Sequence, residues 1–447
     1  MIPRRRIRLL AVAAVWFLAL IGAAPAGAQQ RVQVEFWHGL PMPLGGILEK
    51  IVADFNASQG QYQVNPSYKG SYPETMVAAI AAFRAGNAPH IVQMFEVGTA
   101  TMMAARSAIK PVYELMREAG VPFEPKGYLP AVRGYYSLPD GRMMAMPFNS
   151  STAIMWYSKD AFRKAGLDPA KAPQTWPELR EAARKIKAAN AAPCAFTTAW
   201  LTWTQFEQFS AIHDVPFATK ANGMTGLDAE LKINSPLHVR HVQTLMEMQK
   251  EGTFKYGGRD AAGDALFPSG ECAIIHASSG LRARIGREAK FDWAAAMLPY
   301  WPGAGGAPKN SIIGGASFWV MTAPSRRPEE YRAVAEFFRF ISTPEIAARW
   351  HMETGFLPVT FAGWERAKGA GYYDKNPGAD VPILELTRTQ PTDNSRGLRL
   401  GNLPEIRNII QEEVEKALQG QQTAQQALDT AVQRGNVVLR NFERANR

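Results

Sequence analysis

Apolar and polar positions alternate from Val32 onward in a way that sets the first elements. VQVEFWH (32–38) places apolar side chains at Val32, Val34 and Phe36, the period of two expected of a strand with one buried face. Between Gly45 and Asn56 the apolar positions are Ile47, Leu48, Ile51, Val52 and Phe55, the spacing of one helix face. YQVNPSY (62–68) reads as a second strand, and Pro66 assigns it to a sheet edge because proline cannot donate to a ladder. A helix over Ala78–Ala85 and a strand over Ile91–Phe95 follow. This βαβα order predicts an α/β architecture with a mostly parallel sheet covered by helices on both faces. The pattern breaks around Pro147-Phe148-Asn149, and a strand from Ala153 to Tyr157 opens a second α/β series with helices over Trp176–Ala189 and Leu237–Lys250. The Gly/Pro-rich stretch Pro299–Pro308 is another boundary. Beyond it the pattern predicts a strand over Phe318–Met321 and helices over Glu329–Ile341 and Pro344–Met352. Two amphipathic helices close the chain, Pro404–Leu418 and Ala424–Phe442, the second with Thr423 as its N-cap.

Candidate chemistry sits at the ends of these elements. The strand Ile91–Phe95 ends on a single carboxylate, Glu96, and the chain turns at Gly98. In open α/β sheets ligands lie beyond the carboxyl ends of strands, which makes Glu96 a candidate contact; a solvated loop glutamate is the plain alternative. Gly314 and Gly315, before a strand, would let backbone approach a ligand closely, or make a turn or bulge. Ala277-Ser278-Ser279-Gly280 ends a strand and starts a helix, where Ser278 could meet an anion or simply cap. Asn149-Ser150-Ser151-Thr152 is a hydroxyl cluster at the break between the two series, or a polar turn. Trp200 and Trp203 lie in a polar segment, AWLTWTQ, expected to be a loop; they could stack on a polyol or pack in a core.

The N-terminus changes the picture most. Arg4, Arg5, Arg6 and Arg8 precede an uncharged apolar run, Leu9–Ala24, and Ala26-Gly27-Ala28 fits a small-x-small cleavage site. The run is short for a membrane span, so residues 1–28 read as a secretory signal peptide cut after Ala28. Its removal lowers the formal net charge from +10 to +6, a modest excess that suits small anions. No dense Lys/Arg run follows, and nucleic acid is not an expected partner. Export also permits a disulfide. Cys194 and Cys272 each begin an apolar β-like run, CAFTTAW and CAIIHASS. They are either bonded across neighbouring strands or two buried thiols.

Familiar catalytic patterns are missing. There is no Gly-Lys-Ser/Thr phosphate loop, no His-Glu-x-x-His and no Gly-x-Ser-x-Gly elbow. His238 and His241 could share a helix face but lack a third ligand, so no metal is expected.

The stretch IAAFRAGNAPHIVQMFEVGTATMM (80–103), with PSYKGSY, PFNSST, IIGGASFWVM, WHMETGFLPVT, YYDKNPGAD and GLRLGNLPEIR, resembles the periplasmic glycerol-3-phosphate-binding proteins of ABC uptake systems. YSKDAFRKAGLDP and the following TW (157–176) resemble a signature of the wider family that includes maltose-binding protein. The likeness runs from Phe36-Trp37-His38-Gly39 to Gln426–Val432. It implies a two-lobe periplasmic binding protein fold with a ligand cleft between the lobes and several hinge crossovers. Residues 29–147 and 299–356 would form one lobe, 148–298 and 357–447 the other. The implied function is capture of sn-glycerol 3-phosphate by a periplasmic monomer without cofactor or covalent chemistry. The ligand would pass to the membrane permease subunits of an ABC importer with a cytoplasmic ATPase. A carbohydrate or glycerophosphocholine receptor of the same fold is the alternative, and a secreted phosphodiesterase-type enzyme a more distant one.

Matched motif by motif, the implied contacts are Tyr72 in KGSY, Glu96 in MFEVG, Ser151 in NSST, Trp200 and Trp203, Ser278 in ASSG, Gly315 in IIGGAS, Phe356 in TGFLP and Arg407 in LPEIR. Arg399 in GLRLGN rivals Arg407. Glu96 is assigned to the glycerol hydroxyls, because a carboxylate beside a dianion is costly. Arg407, Ser278, the Gly315 N–H and Tyr72 are assigned to the phosphate. The family motif reads TGYLP, so Phe356 keeps the ring and loses a hydroxyl. A hydrogen bond to a charged group contributes about 1.5–3 kcal/mol, and its loss favours a diester, which carries less phosphate charge.

The signal features predict a mature protein that begins near Gln29 in the soluble periplasmic fraction. Intact mass spectrometry of the purified protein checks this, and a mass that retains residues 1–28 contradicts it.

Overall fold

The computed structural model describes residues 30–304 and 306–447; the segment assigned to the signal peptide lies outside the described residues. The alternating stretch Val32–His38 forms a strand and pairs in parallel with Tyr62–Tyr68 and with Ile91–Phe95. The strand Gly314–Met321 lies antiparallel against Ile91–Phe95, Ile109–Lys110 and Met146–Ser151 and completes the first sheet. Tyr62–Tyr68 is its edge, as Pro66 requires. The second sheet runs in the order Trp293–Ala296, Ala153–Ser158, Cys272–Ser278, Cys194–Thr198, Phe254–Tyr256. Its last three strands are mutually parallel and its first two are antiparallel to their neighbours.

Two expectations need correction. Both sheets are mixed rather than mostly parallel, because a strand arriving from the other sheet, Gly314–Met321 in the first and Ala153–Ser158 in the second, enters in reverse. The stretch around Pro147-Phe148-Asn149 is not a break but part of the strand Met146–Ser151. Its proline is tolerated because the ladder slips register between Ala316 and Ser317, next to Pro147.

Capping explains why helices start where they do. Tyr72–Arg84 begins six residues before the apolar periodicity suggests, since Ser71 accepts from the Glu74 N–H and the Glu74 carboxylate accepts from the Ser71 N–H. Thr175 and Glu178 start Trp176–Ala188 in the same way, and Thr423 and Gln426 start Ala424–Asn446. Phe318, Phe148 and Trp350 stack in the first core with Phe36 edge-on to Phe318; Trp176, Leu179, Ile186 and Phe196 fill the second.

Two connections pass between the sheets side by side, and the segment around Leu357 lies against them. Met146–Ser151 leads directly into Ala153–Ser158. Thr152 Oγ1 lies 2.8 Å from Ser311 Oγ and donates to Ile312 O at 2.9 Å. The Leu357 N–H donates to Ser150 O at 2.7 Å. Helices Leu403–Leu418 and Ala424–Asn446 pack on each other and on Pro236–Lys250, and the first of them also reaches the turn Glu96–Gly98.

Cys194 and Cys272 are disulfide-bonded register partners on adjacent parallel strands, with a Cα–Cα distance of 4.4 Å. The bond ties the starts of these strands; their far ends carry Trp200 and Ser278. Replacing both cysteines by serine is expected to lower the unfolding free energy by about 2–4 kcal/mol while leaving ligand affinity unchanged. Denaturant melts and calorimetry check both halves. An unchanged midpoint contradicts the structural role.

Candidate functional site

All nine residues singled out by motif line one cavity of about 430 Å3: Tyr72, Glu96, Ser151, Trp200, Trp203, Ser278, Gly315, Phe356 and Arg407. That volume lies within the roughly 300–1,000 Å3 usual for small-molecule sites. Arg399 is not among its walls. The Arg399 Nη2 donates to the carbonyls of Tyr135 at 2.8 Å and Ser137 at 3.0 Å, so it joins two stretches of backbone.

Buried amide chains orient the polar groups. The Gly39 N–H donates to Gln93 Oε1 at 2.9 Å, Gln93 Nε2 to Asn149 Oδ1 at 2.8 Å, and Asn149 Nδ2 to the Tyr72 hydroxyl at 2.8 Å. Tyr72 accepts at the end of this chain, which leaves its own O–H free to donate into the cavity. Burial raises its pKa and keeps the phenol protonated. Ser278 Oγ accepts from the Gly280 N–H at 3.1 Å and so caps the turn Ser279–Leu281.

Glycines make room at two places. Gly315 has φ +93°, and a Cβ there would lie 1.9 Å from Asn149 O. A Cβ on Gly314 would lie 2.3 Å from Trp203 Cζ2, so only glycine lets the indole rest on this strand. Phe356 stacks on Trp350 at 5.6 Å with 10° between the planes.

Trp200 lies in a connecting bend, as the sequence suggested, but Trp203 does not lie in a loop. Trp200 takes a left-handed conformation (φ +51°), and its N–H donates to Asp260 O at 2.8 Å. Trp203 begins a π-helical turn, Trp203–Glu207. Such turns recur at functional sites. The Trp203 Nε1–H is buried without a protein acceptor.

This turn carries a residue that the motifs missed. Glu207 is 2 % exposed and accepts from Arg407 at two points, Nε to Oε1 at 2.6 Å and Nη2 to Oε2 at 2.8 Å. Arg407 Nη2 also donates to Glu96 Oε1 at 2.7 Å. Glu96 and Arg407 are thus in direct contact, not at opposite ends of the cleft. Burial raises the Glu96 pKa, Arg407 opposes it, and the nearby Glu207 adds to the rise. Burial works against the charge of Arg407, but Glu207 and Glu96 outweigh it and push its pKa above the usual value. The one signal for Glu207 in the sequence is an acid inside the otherwise uncharged run WTQFEQFSAI. Asp260 and Asp264 also line the cavity and were missed; burial pushes the Asp264 carboxyl up to about 7, with Arg284 pulling the other way.

A model of the bacterial extracellular solute-binding protein family matches residues 41–348. The sn-glycerol-3-phosphate-binding periplasmic protein UgpB of Rhizobium meliloti (strain 1021) is 47% identical over 412 residues, 92% of this chain and 95% of that protein. UgpB of Escherichia coli O1:K1 / APEC is 47% identical over 431 residues, 96% of this chain and 98% of that protein. The crystal structure of UgpB from Mycobacterium tuberculosis in complex with glycerophosphocholine matches with a TM-score of 0.76 at 22% identity, covering 92% of this chain and 99% of that one. A cyclic alpha-maltosyl-1,6-maltose binding protein from Arthrobacter globiformis matches with a TM-score of 0.70 at 21% identity, over 92% and 100%. With two α/β sheets joined by two crossovers and relatives this similar along nearly its whole length, the chain belongs to the bacterial extracellular solute-binding proteins, beside the sn-glycerol-3-phosphate-binding periplasmic proteins.

Proposed function

We propose that this protein is the periplasmic substrate-binding component of an ABC importer, which captures sn-glycerol 3-phosphate, and glycerophosphodiesters with it, and delivers them to the membrane permease. In this reading it is a monomer and performs no covalent chemistry. Residues 29–147 and 299–356 make one lobe, 148–298 and 357–447 the other, and the lobes close on the ligand about the crossovers between them. Ligand favours the closed state only by binding it more tightly than the open one.

One observation carries the proposal. Arg407 is 7 % exposed, and its Nη1 has no hydrogen-bond partner among the described residues, while the group lines the same cavity as Tyr72, Ser151 and Ser278. A phosphate group takes such a fork together with hydroxyl donors. The Trp200 and Trp203 rings offer flat walls for glycerol C–H groups, and the Trp203 N–H is a further donor. Glu96 is placed to accept from the glycerol hydroxyl nearest the phosphate. The names of the relatives point to the same ligand class.

Calorimetry with sn-glycerol 3-phosphate, followed by recovery of the ligand, tests the reading. Binding with the ligand recovered unchanged supports it; absence of binding, or a hydrolysed ester, contradicts it. Arg407→Ala is expected to weaken ester binding by at least about tenfold, because it removes a charge-assisted pair in a desolvated cleft. Arg399→Ala is expected to lower the melting midpoint and leave affinity nearly unchanged, and the reverse order in calorimetry contradicts these roles.

Phe356→Tyr adds a hydroxyl to a ring that lies over Gly280, where an added Cβ would sit 2.9 Å from Phe356 Cζ. It is expected to raise glycerol 3-phosphate affinity by up to about 1–2 kcal/mol, with less gain for a diester. Paired titrations of both proteins with both ligands check this, and equal or weaker phosphate binding contradicts a cavity-facing hydroxyl.

A further inference from the structure

The Glu96–Arg407–Glu207 cluster sets one cation against two carboxyl groups, and all three side chains are nine-tenths buried or more. With both acids ionised the cluster carries a net negative charge inside the cleft that receives an anionic ester. Glu207 spends its two oxygens on Nε and Nη2 of Arg407, which directs the remaining nitrogen, Nη1, away from the carboxylate fork. It is a positioning residue for the arginine. Its negative charge remains close to whatever Nη1 receives.

Two further arginines line the cavity, but Arg259 is paired with Glu415 and Arg284 with Glu288, so neither offsets this excess. Tyr72, Tyr135 and Tyr136 face the cluster as phenols whose pKa values burial raises, so they stay neutral. Asp260 lies within reach of the Arg407 charge, and Asp264, with its carboxyl pushed up to about 7 by burial, lines the same cavity; both add to the acids. Arg399 is near Tyr135, but its Nη2 is committed to backbone carbonyls. Two carboxylates that share one buried cation and then meet an anion cannot all stay charged at low cost. The least costly adjustment is a proton on Glu96, which burial and the neighbouring Glu207 already favour.

We propose that ester capture by this protein is coupled to uptake of a proton on Glu96, with Glu207 holding Arg407 in its ligand-facing orientation. The inference rests on the cleft being a phosphate-ester site. Burial already raises the Glu96 pKa, and an incoming anion raises it further. The sign follows from linkage: a complex that binds more protons than its free components forms more tightly as pH falls. Affinity therefore drops as pH rises, by at most about tenfold per pH unit for one full proton.

The test uses a glycerophosphodiester, because its phosphate has no proton to gain near neutrality and any uptake belongs to the protein. Calorimetry of the full mature chain is run in two buffers of different ionisation enthalpy, neither containing inorganic phosphate. A buffer-dependent heat that reports proton uptake, together with weaker binding at higher pH, is the expected result. Glu207→Gln keeps an acceptor for Arg407 and removes the extra charge, so the uptake should fall toward zero and the pH dependence flatten. Glu96→Gln should lower the uptake as well. If the diester binds with the same heat in both buffers, or if both variants keep the full uptake, the proton coupling is wrong while the binding reading stands. If neither the diester nor glycerol 3-phosphate binds, the binding reading fails and the coupling falls with it.

Discussion

A buried arginine with two carboxylates is the constraint on which the rest of the cleft depends. Glu96 follows a strand of the first sheet, Glu207 ends a π-helical turn that follows the second, and Arg407 comes from the first part of a helix about two hundred residues further on. Three distant segments meet at one guanidinium. Leaving any one of them unmatched is costly, since breaking a buried pair by removing one partner costs about 3–5 kcal/mol. The cluster therefore fixes how the sheets approach each other at the cleft. It also leaves Arg407 Nη1 without a hydrogen-bond partner among the described residues.

The remainder of the cleft follows from how the sheets are joined. Gly314 and Gly315 pair with Ser151 and Ser150, so two crossovers run side by side. Their close approach is possible because neither glycine has a side chain to meet Trp203 or Asn149. The amide chain from Gly39 through Gln93 and Asn149 then turns the Tyr72 hydroxyl into a donor. Every buried polar group in that chain is satisfied, and this makes its geometry specific rather than adaptable. The disulfide lies at the other end of the strands that carry Trp200 and Ser278, where it can stabilise the second sheet without touching a ligand.

Much of this was legible in the sequence where the cause is local. Alternation in Val32–His38, the proline in Tyr62–Tyr68 and the lone acid after Ile91–Phe95 each act within a few residues, and each element is where the pattern puts it. Ser71 and Glu74 extend a helix beyond its apolar face through a capping box that is itself visible in the sequence. What could not be read depends on long-range return. The reversed entry of Gly314–Met321 is set by a crossover from the other sheet, and no local period encodes it. Glu207 gave no motif because its partner is two hundred residues away and its π-helical turn has no period of its own. That Arg399 is spent on backbone carbonyls while Arg407 lines the cavity could not be read from their motifs, because it depends on which of them finds those carbonyls nearby. The separation of Glu96 from the phosphate end was argued from charge alone and overlooked an arginine that bridges both.

The most direct test of the account is a crystal structure of the protein with sn-glycerol 3-phosphate. The account predicts the phosphate in the cavity between the sheets, hydrogen-bonded to Arg407 Nη1 and the Tyr72 hydroxyl, with a glycerol hydroxyl on Glu96 and the C–H face against Trp200 or Trp203. A phosphate held away from Arg407, at Arg399 or outside this cavity, would contradict it.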